Sequence, residues 1–290
     1  MKQLLTFTLF LMAFTVFGQQ GLLKESLIIK SAILGKDVKY SIYLPSDYEK
    51  SNRSYPVLYL LHGYTDDETG WTQFGETNRI ADNTIQNGTA APMIIAMPDG
   101  GVNWYVNSYD GKEKYEDFFI KEFMPFIEKT YRIRAQKRYR AIAGLSMGGH
   151  GTLMMATKHA ELFAAAAPLS AAVWTDDEIT NMPNENWDAA LGLPYGKGLK
   201  GKERLSEHYA QNSASKIIEK ANVDDLKKVR FYIDCGDKDF LIKGNMALHA
   251  LMIDKKIPHE FRVREGVHNW TYWRTALPEV LKFVSESFHQ

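Results

Sequence analysis

The stretch RAIAGLSMGGHG, residues 140–151, decides the predicted fold. An apolar run leads to Gly144, a serine stands at position 146, and glycine returns at position 148. The G-x-S-x-G spacing between a predicted strand and a predicted helix is the context of a nucleophile elbow, a sharp turn that holds its serine in strained backbone geometry. We therefore expect a side chain at either Gly144 or Gly148 to collide with a neighbouring strand or helix.

Predicted strands and helices alternate on both sides of this stretch. The strands are predicted at residues 26–34, 37–45, 56–63, 92–100, 138–144, 163–170, 229–237 and 259–266. The helices are predicted at residues 76–86, 113–130, 147–158, 245–255 and 272–287. This alternation predicts an α/β fold, with a mostly parallel eight-stranded sheet, helices on both faces and two antiparallel strands at its start. Alternation in the second strand predicts one solvated face, and the alanine-rich segment 163–170 leaves helix open as an alternative.

Composition excludes several classes of function. The chain has 290 residues, of which 45% are hydrophobic, and its 35 Lys and Arg residues balance 35 Asp and Glu residues. There is thus no basic excess to indicate nucleic acid binding. The single cysteine, Cys235, excludes an internal disulfide and a multi-cysteine metal site, and we expect it to be a small buried residue. We predict no cofactor and no metal, and the sequence leaves the oligomeric state open.

The first 19 residues predict a secretory signal peptide. One lysine precedes an apolar run over 4–17, and Gly18 supplies a small residue at its exit. The run is shorter than the ~20 residues of a membrane span, so an uncleaved anchor is the weaker alternative. We expect cleavage near Gln19 or Gln20 and a secreted or periplasmic protein, free of the membrane, with one domain over 20–290. Residues 171–228 break the strand–helix rhythm, and we expect an insertion there that forms a partial lid over the site.

A serine hydroxyl needs a base before it becomes a good nucleophile. In folds with this elbow the partners follow the serine in the order acid, then histidine. His268 lies in the loop after the last predicted strand, where site residues of such sheets lie. Asp239 follows the preceding strand and the turn at Gly236, and its rival Asp237 is expected to cap that turn. The expected set is Ser146, Asp239 and His268.

A tetrahedral intermediate also needs donors for its oxyanion. The backbone N–H of Met147, directly after the serine, is the first candidate, and that of Tyr64 in the loop after the third strand is the second. His62 is expected to be a buried orienting residue. Aromatic residues at the same end of the sheet suit sugar rings and phenolic acids. The candidate substrate-binding residues are Trp104, Tyr105 and Trp270, and we expect at least half of the aromatic residues in these loops to be structural.

Four motifs in this chain resemble a known family. They read LLHGY (60–64), GLSMGGHG (144–151), DCGDKDF (234–240) and HNWTYWR (268–274). They are similar to the esterase D-type esterases of the α/β-hydrolase fold, which include carbohydrate esterase family one with its feruloyl and acetylxylan esterases, S-formylglutathione hydrolases and mycolyltransferases. The resemblance runs over about 26–288. It implies catalytic roles for Ser146, Asp239 and His268, and it implies that residues 98–108 help to wall the site.

These observations predict a secreted serine esterase that forms an acyl-enzyme. Its expected substrate is a feruloyl or acetyl ester on a plant polysaccharide or oligosaccharide, because an exported enzyme meets polymers and the loops near the site are aromatic. An S-formylglutathione hydrolase-like enzyme or a general carboxylesterase is the alternative within enzymes. The alternative of another class is a non-catalytic module that binds carbohydrate or protein on a hydrolase scaffold.

Overall fold

A computed structural model describes residues 20–289 of the chain. The predicted signal peptide, residues 1–19, lies outside the described residues, and its cleavage stays a prediction. Within the described part of the chain, no helix is long and apolar enough to cross a membrane.

The described residues form a mixed sheet in the order β1-β2-β4-β3-β5-β6-β7-β8. The strands are β1 (Leu22–Ser31), β2 (Lys36–Leu44), β3 (Val57–Leu61), β4 (Ile94–Pro98), β5 (Arg140–Leu145), β6 (Ala165–Leu169), β7 (Arg230–Gly236) and β8 (His259–Arg264). β1 pairs antiparallel with β2, and β2 pairs antiparallel with β4. From β4 to β8 every pairing is parallel. The predicted α/β-hydrolase fold, with its eight-stranded and mostly parallel sheet, is confirmed.

Helices cover both faces of this sheet. The α-helices are α1 (Gly70–Gln73), α2 (Thr77–Gln86), α3 (Tyr115–Phe118), α4 (Met124–Thr130), α5 (Met147–Lys158), α6 (Asp176–Asn181), α7 (Asn184–Asn186), α8 (Gly192–Tyr195), α9 (Glu207–Gln211), α10 (Ala214–Lys220), α11 (Val223–Leu226), α12 (Ile242–Asp254) and α13 (Trp270–Ser287). Two π-helical segments, Phe119–Phe123 and Trp187–Leu191, continue α3 into α4 and α7 into α8. Short 3₁₀ turns lie at Tyr48–Lys50, Lys137–Tyr139 and Gly201–Arg204.

The sheet divides the core into two layers. Side chains of β3 alternate between them, because successive residues of a strand point to opposite faces. Tyr59 and Leu61 pack in the layer that includes Leu153 of α5 and Leu248 of α12. Leu58 and Leu60 pack in the other layer, with residues of α2 and α13. All five positions of β3 are buried, as expected of an inner parallel strand.

Two sequence expectations, on the alanine-rich segment 163–170 and on the outer face of β2, could be tested only against the tertiary structure. The alanine-rich segment is a strand, and its small side chains let α5 and α13 approach β6 from opposite faces. The solvated face predicted for β2 is wrong for its second half, where Ser41 and Tyr43 are fully buried. The reason is that this face is also covered by a helix: the Tyr43 hydroxyl donates to Asp82 of α2 at 2.7 Å.

Residues 171–228 join β6 to β7 and carry α6–α11. The fully buried Arg204 organises this segment internally, since its guanidinium donates to the carbonyl oxygens of Ile179 and Met182 at 3.0 and 2.6 Å. Two side chains from other loops tie the segment to the rest of the fold. The Tyr64 hydroxyl donates to the Ala189 carbonyl at 3.0 Å, and Trp104 Nε1 donates to the Ala190 carbonyl at 2.7 Å. Closure of the segment as a lid stays a prediction.

Candidate active site

Ser146 sits on a strained turn between β5 and α5. Its backbone has φ 54° and ψ −114°, a conformation that side chains rarely adopt. The flanking glycines make the turn possible. A Cβ on Gly144 would lie 2.5 Å from the Gly148 carbonyl oxygen, and a Cβ on Gly148 would lie 2.4 Å from the Leu61 carbonyl oxygen. The expected collisions of side chains at these two positions are thus confirmed.

The sheet order brings four loops around this serine. β5 is flanked by β3 and β6, so the loops after these strands are its immediate neighbours. The backbone N–H of Ser146 donates to the Leu169 carbonyl at 2.9 Å. On the other side, a Cβ on Gly63 would lie 3.7 Å from the Cβ of Ser146. The loops after β7 and β8 reach the same edge, because the carboxyl ends of parallel strands meet there.

His268 links the serine to a buried carboxylate. Its Nε2 lies 2.9 Å from Ser146 Oγ, and its Nδ1 lies 2.8 Å from Asp239 Oδ2. A carboxylate only accepts hydrogen bonds, so Nδ1 carries the proton and Nε2 is free to accept the hydroxyl proton of Ser146. The structure therefore brings the three sequence-predicted residues together in an arrangement suited to activating an alcohol as a nucleophile.

Asp239 is held as a carboxylate. It is 2% exposed, and burial by itself would raise its pKa. Hydrogen bonds from His268 and from the Leu241 N–H outweigh burial and hold the pKa of Asp239 below its usual range. A hydrogen bond with Ser170 acts in the same direction. The charge that would stabilise a protonated imidazole is thus present at neutral pH.

The rival carboxylates of this strand have other roles. Asp237 is exposed, and its Oδ1 accepts from the Gly266 N–H at 2.9 Å, so it ties the loop after β8 to the turn after β7. Asp234 is fully buried and pairs with Arg264, with Nε–Oδ2 at 3.1 Å. It also accepts hydrogen bonds from Tyr232 and Tyr272. Neither group contacts His268 in these bonds, which leaves Asp239 as the partner of the imidazole.

The two candidate oxyanion donors flank Ser146. Met147 is the first residue of α5, so its N–H has no acceptor within the helix. Tyr64 directly follows Gly63. Gly100 N–H donates to His62 Nε2 at 2.7 Å, which leaves the proton on Nδ1 to donate to the Gly63 carbonyl at 2.8 Å. The carbonyl and N–H of one trans peptide point in opposite directions, so buried His62 fixes the direction of the Tyr64 N–H.

Comparison with known families shows which family this chain belongs to. The Esterase family model matches residues 31–284, nearly all of the described chain. This chain belongs to the Esterase family. The predicted family resemblance is thereby confirmed.

Relatives of this Esterase-family chain include esterases of several kinds. A solved ferulic acid esterase is 32% identical with a TM-score of 0.81, and the match covers 93% of this chain and 99% of that one. The Esterase Rv1288 of Mycobacterium tuberculosis is 30% identical over 82% of this chain and 54% of the relative. An endo-1,4-beta-xylanase/feruloyl esterase of Xylanibacter ruminicola is 37% identical over 50% of this chain and 21% of the relative. The chain thus spans about half or less of the length of these curated relatives.

The structure corrects two of the three candidate substrate-binding residues. Tyr105 is 0% exposed, and its ring fills the space beside Gly100 and Gly151 while its hydroxyl donates to the His62 carbonyl. Trp104 is 4% exposed, and its Nε1 donates to the Ala190 carbonyl of the 171–228 segment. Both residues pack against the loops of this Esterase-family site, and they leave almost no surface for contact with a substrate. Trp270 is half-buried against Trp71, and its contact with substrate stays a prediction.

Three residues that the sequence did not single out for the site lie at or near it. Ser170, directly after β6, has φ 42° and accepts a hydrogen bond from Trp273 Nε1 at 3.2 Å. The hydroxyl oxygen of Tyr195, in the 171–228 segment, lies 2.9 Å from Nε2 of His150. Burial lowers the pKa of His150 to about 4. Phe240 follows Asp239 directly. Phe240 ends the DCGDKDF motif, but the motif assigns it no role, and no motif marks Ser170 or Tyr195, since their place depends on which strands and loops become neighbours.

Two further observations on residues 20–289 concern metal and thiol chemistry. In residues 20–289, no three His, Cys, Asp or Glu residues cluster in a way that could hold a metal ion. Cys235 is buried as expected, and burial raises the pKa of its thiol to about 12, so the thiolate that reacts or binds metal is not formed near neutral pH.

Proposed function

We propose that this chain is an exported serine esterase that cleaves carboxylic esters through a covalent acyl-enzyme. The observation that carries the proposal is the continuous hydrogen-bonded path from Ser146 through His268 to buried Asp239. A strained serine at the start of a helix, with a base and an oriented acid, is the arrangement that nucleophilic acyl transfer requires.

In the first half of the proposed reaction, Ser146 Oγ attacks the ester carbonyl carbon while His268 Nε2 takes the hydroxyl proton. Asp239 holds the imidazole in the correct tautomer and stabilises its positive charge. The tetrahedral oxyanion accepts hydrogen bonds from the N–H groups of Met147 and Tyr64, each of which is worth ~10²–10³-fold in rate in sites of this kind. The carbon–oxygen bond to the alcohol then breaks, and His268 returns its proton to the departing alcohol oxygen.

In the second half, water replaces the alcohol. His268 Nε2 takes a proton from water, the hydroxide attacks the acyl carbon, and the Ser146 Oγ leaves as the proton returns to it. The products are a carboxylic acid and the free enzyme. Every proton in this cycle moves through one imidazole, so no metal or cofactor is required.

For the substrate, we propose a feruloyl or acetyl ester on a plant polysaccharide or oligosaccharide. The names of the relatives support this class, since they include a ferulic acid esterase and a xylanase/feruloyl esterase. Aromatic rings of Tyr64 and Trp174 remain partly exposed near the serine, and both pack against Trp104 at centroid distances of 5.9 and 5.4 Å. Flat apolar rings with polar edges suit phenolic acids and sugars.

A panel of esters tests the substrate class. We expect kcat/KM for methyl ferulate or acetylated xylan to exceed that for p-nitrophenyl butyrate by ~10-fold or more, because a shaped pocket discriminates by its contacts with the acyl group and the alcohol. p-Nitrophenyl acetate and S-formylglutathione complete the panel, and Ser146→Ala is assayed on each substrate. Equal kcat/KM for p-nitrophenyl butyrate, with no gain from the ferulate or the sugar, would indicate a general carboxylesterase. Preference for S-formylglutathione would replace the proposed substrate with the thioester.

Export is tested by N-terminal sequencing of protein recovered outside the cytoplasm of the host cell. We expect the mature protein to begin near Gln19 or Gln20, because a short apolar run followed by a small residue suits signal cleavage. Full-length protein that begins at Met1 and remains in the cytosol would contradict the proposal.

A further inference from the structure

An exposed aromatic ring lies directly against the imidazole of His268. The Phe240 side chain is 69% exposed, and its ring centroid lies 4.6 Å from that of His268, with an interplanar angle of 53°. Trp273 contacts the same imidazole at 4.9 Å and 90°, but it is 6% exposed. The imidazole thus has a buried indole as one neighbour and a solvent-facing phenyl ring as another.

The position of Phe240 is set by the turn that carries Asp239. The Asp239 N–H donates to the Gly236 carbonyl at 3.2 Å, and the Asp239 carboxylate accepts from the Leu241 N–H at 2.9 Å. Hydrogen bonds therefore fix the backbone on both sides of Phe240 while its side chain extends outward. Single exposed apolar residues are common on protein surfaces, but this one is held in place beside the group proposed to move the proton.

The chemistry of acyl transfer indicates which part of the substrate faces this surface. His268 must deliver its proton to the departing alcohol oxygen, so the alcohol lies on the imidazole side of Ser146. The carbonyl oxygen instead points to the N–H groups of Met147 and Tyr64. Because Phe240 contacts the imidazole, it lies on the side of Ser146 from which the alcohol is expected to leave.

The surroundings of Phe240 favour a neutral alcohol with an apolar face. Val267, the residue before His268, is 44% exposed, so the loop that carries the imidazole presents a second apolar side chain to solvent. Two charged neighbours of Phe240 in sequence are paired: Lys238 lies 3.5 Å from Glu265, and Asp239 lies 2.8 Å from His268. A sugar ring presents C–H groups on one face and hydroxyls at its edge, which suits stacking on an exposed phenyl ring.

We propose that Phe240 is the floor of the leaving-group subsite and binds the sugar ring of the alcohol being released. This inference rests on the proposed esterase function and adds the residue that recognises the alcohol. It predicts that Phe240 acts on acylation, when the alcohol is present. It also predicts no effect on deacylation, because the acyl-enzyme is the same whichever alcohol has left.

Phe240→Ala tests the subsite with two esters that share one acyl group. We expect kcat/KM for the ester on an arabinose or xylose unit to fall ~10-fold, in line with the loss of one aromatic contact, and kcat/KM for the methyl ester to stay within about twofold of wild type. Phe240→Tyr should keep kcat/KM for the sugar ester close to the wild-type value, since tyrosine keeps the aromatic ring. Ile28→Ala, which removes a side chain that is 54% exposed on β1 at the opposite edge of the sheet, is the matched control and should change neither value.

Two results would overturn the inference. If Phe240→Ala lowered kcat/KM equally for both esters, the ring would only position His268. If kcat/KM for the sugar ester did not change, the alcohol would not contact Phe240. Failure of the proposed function looks different, since wild-type protein would then show no ester cleavage that depends on Ser146.

Discussion

Replacement of Ser146 by alanine is expected to lower kcat for ester hydrolysis by ~10⁴-fold or more. The structure places this hydroxyl 2.9 Å from His268 Nε2, and without it the proposed acyl-enzyme cannot form. Members of such a set act as a unit, so the loss should approach that of removing all three residues. The measurement is steady-state hydrolysis of p-nitrophenyl acetate, with circular dichroism to show that the fold is retained.

The control for this variant is a buried serine away from the site. Ser287→Ala also removes a buried hydroxyl, but Ser287 lies at the end of α13, where it donates to the Phe283 carbonyl and accepts from Arg230. It should retain far more activity than Ser146→Ala. Near-normal esterase activity in Ser146→Ala would contradict the proposed mechanism altogether.

Replacement of Asp239 by asparagine is expected to lower kcat on the order of 10⁴-fold. The amide keeps the shape of the side chain, but it can donate to Nδ1 and so favours the tautomer of His268 that has its proton on Nε2. That tautomer cannot accept the proton of Ser146. kcat measured near neutral pH, where wild-type Asp239 is ionised, is the relevant quantity.

Asp237→Asn is the matched control for the acid. Its carboxylate accepts from the Gly266 N–H, and an asparagine side chain also offers an acceptor oxygen there. We therefore expect only a small change in kcat. The reverse ranking of the two variants would transfer the proposed role of the acid to Asp237.

The nucleophile turn could be predicted because its signal is local. Strain at Ser146 and the close approach of β3 to the helix require glycine at fixed spacing, and the sequence displays that spacing directly. The pairing of Asp239 with His268 spans 29 residues, but chain order and the turn at Gly236 were enough to select both residues. In each of these cases the physical requirement corresponds to a residue type or a spacing that can be read in the sequence.

The residues that contact substrate could not be predicted in the same way. Tyr105 and Phe240 are both aromatic residues in loops near the site, yet one is 0% and the other 69% exposed. The difference arises because Gly100 and Gly151 leave a space that the ring of Tyr105 fills, and that space exists only once distant segments have packed. Exposure is a tertiary property, so composition and motif position do not determine it.

The central claim is tested most directly by finding the acyl group on the chain. Protein quenched with acid during turnover of p-nitrophenyl acetate is digested, and its peptides are analysed by mass spectrometry. The account predicts an added acetyl group on the peptide that contains Ser146, and no such label on the same peptide of Ser146→Ala. Rapid hydrolysis with the acetyl group on another residue, or an equal label in Ser146→Ala, would contradict it.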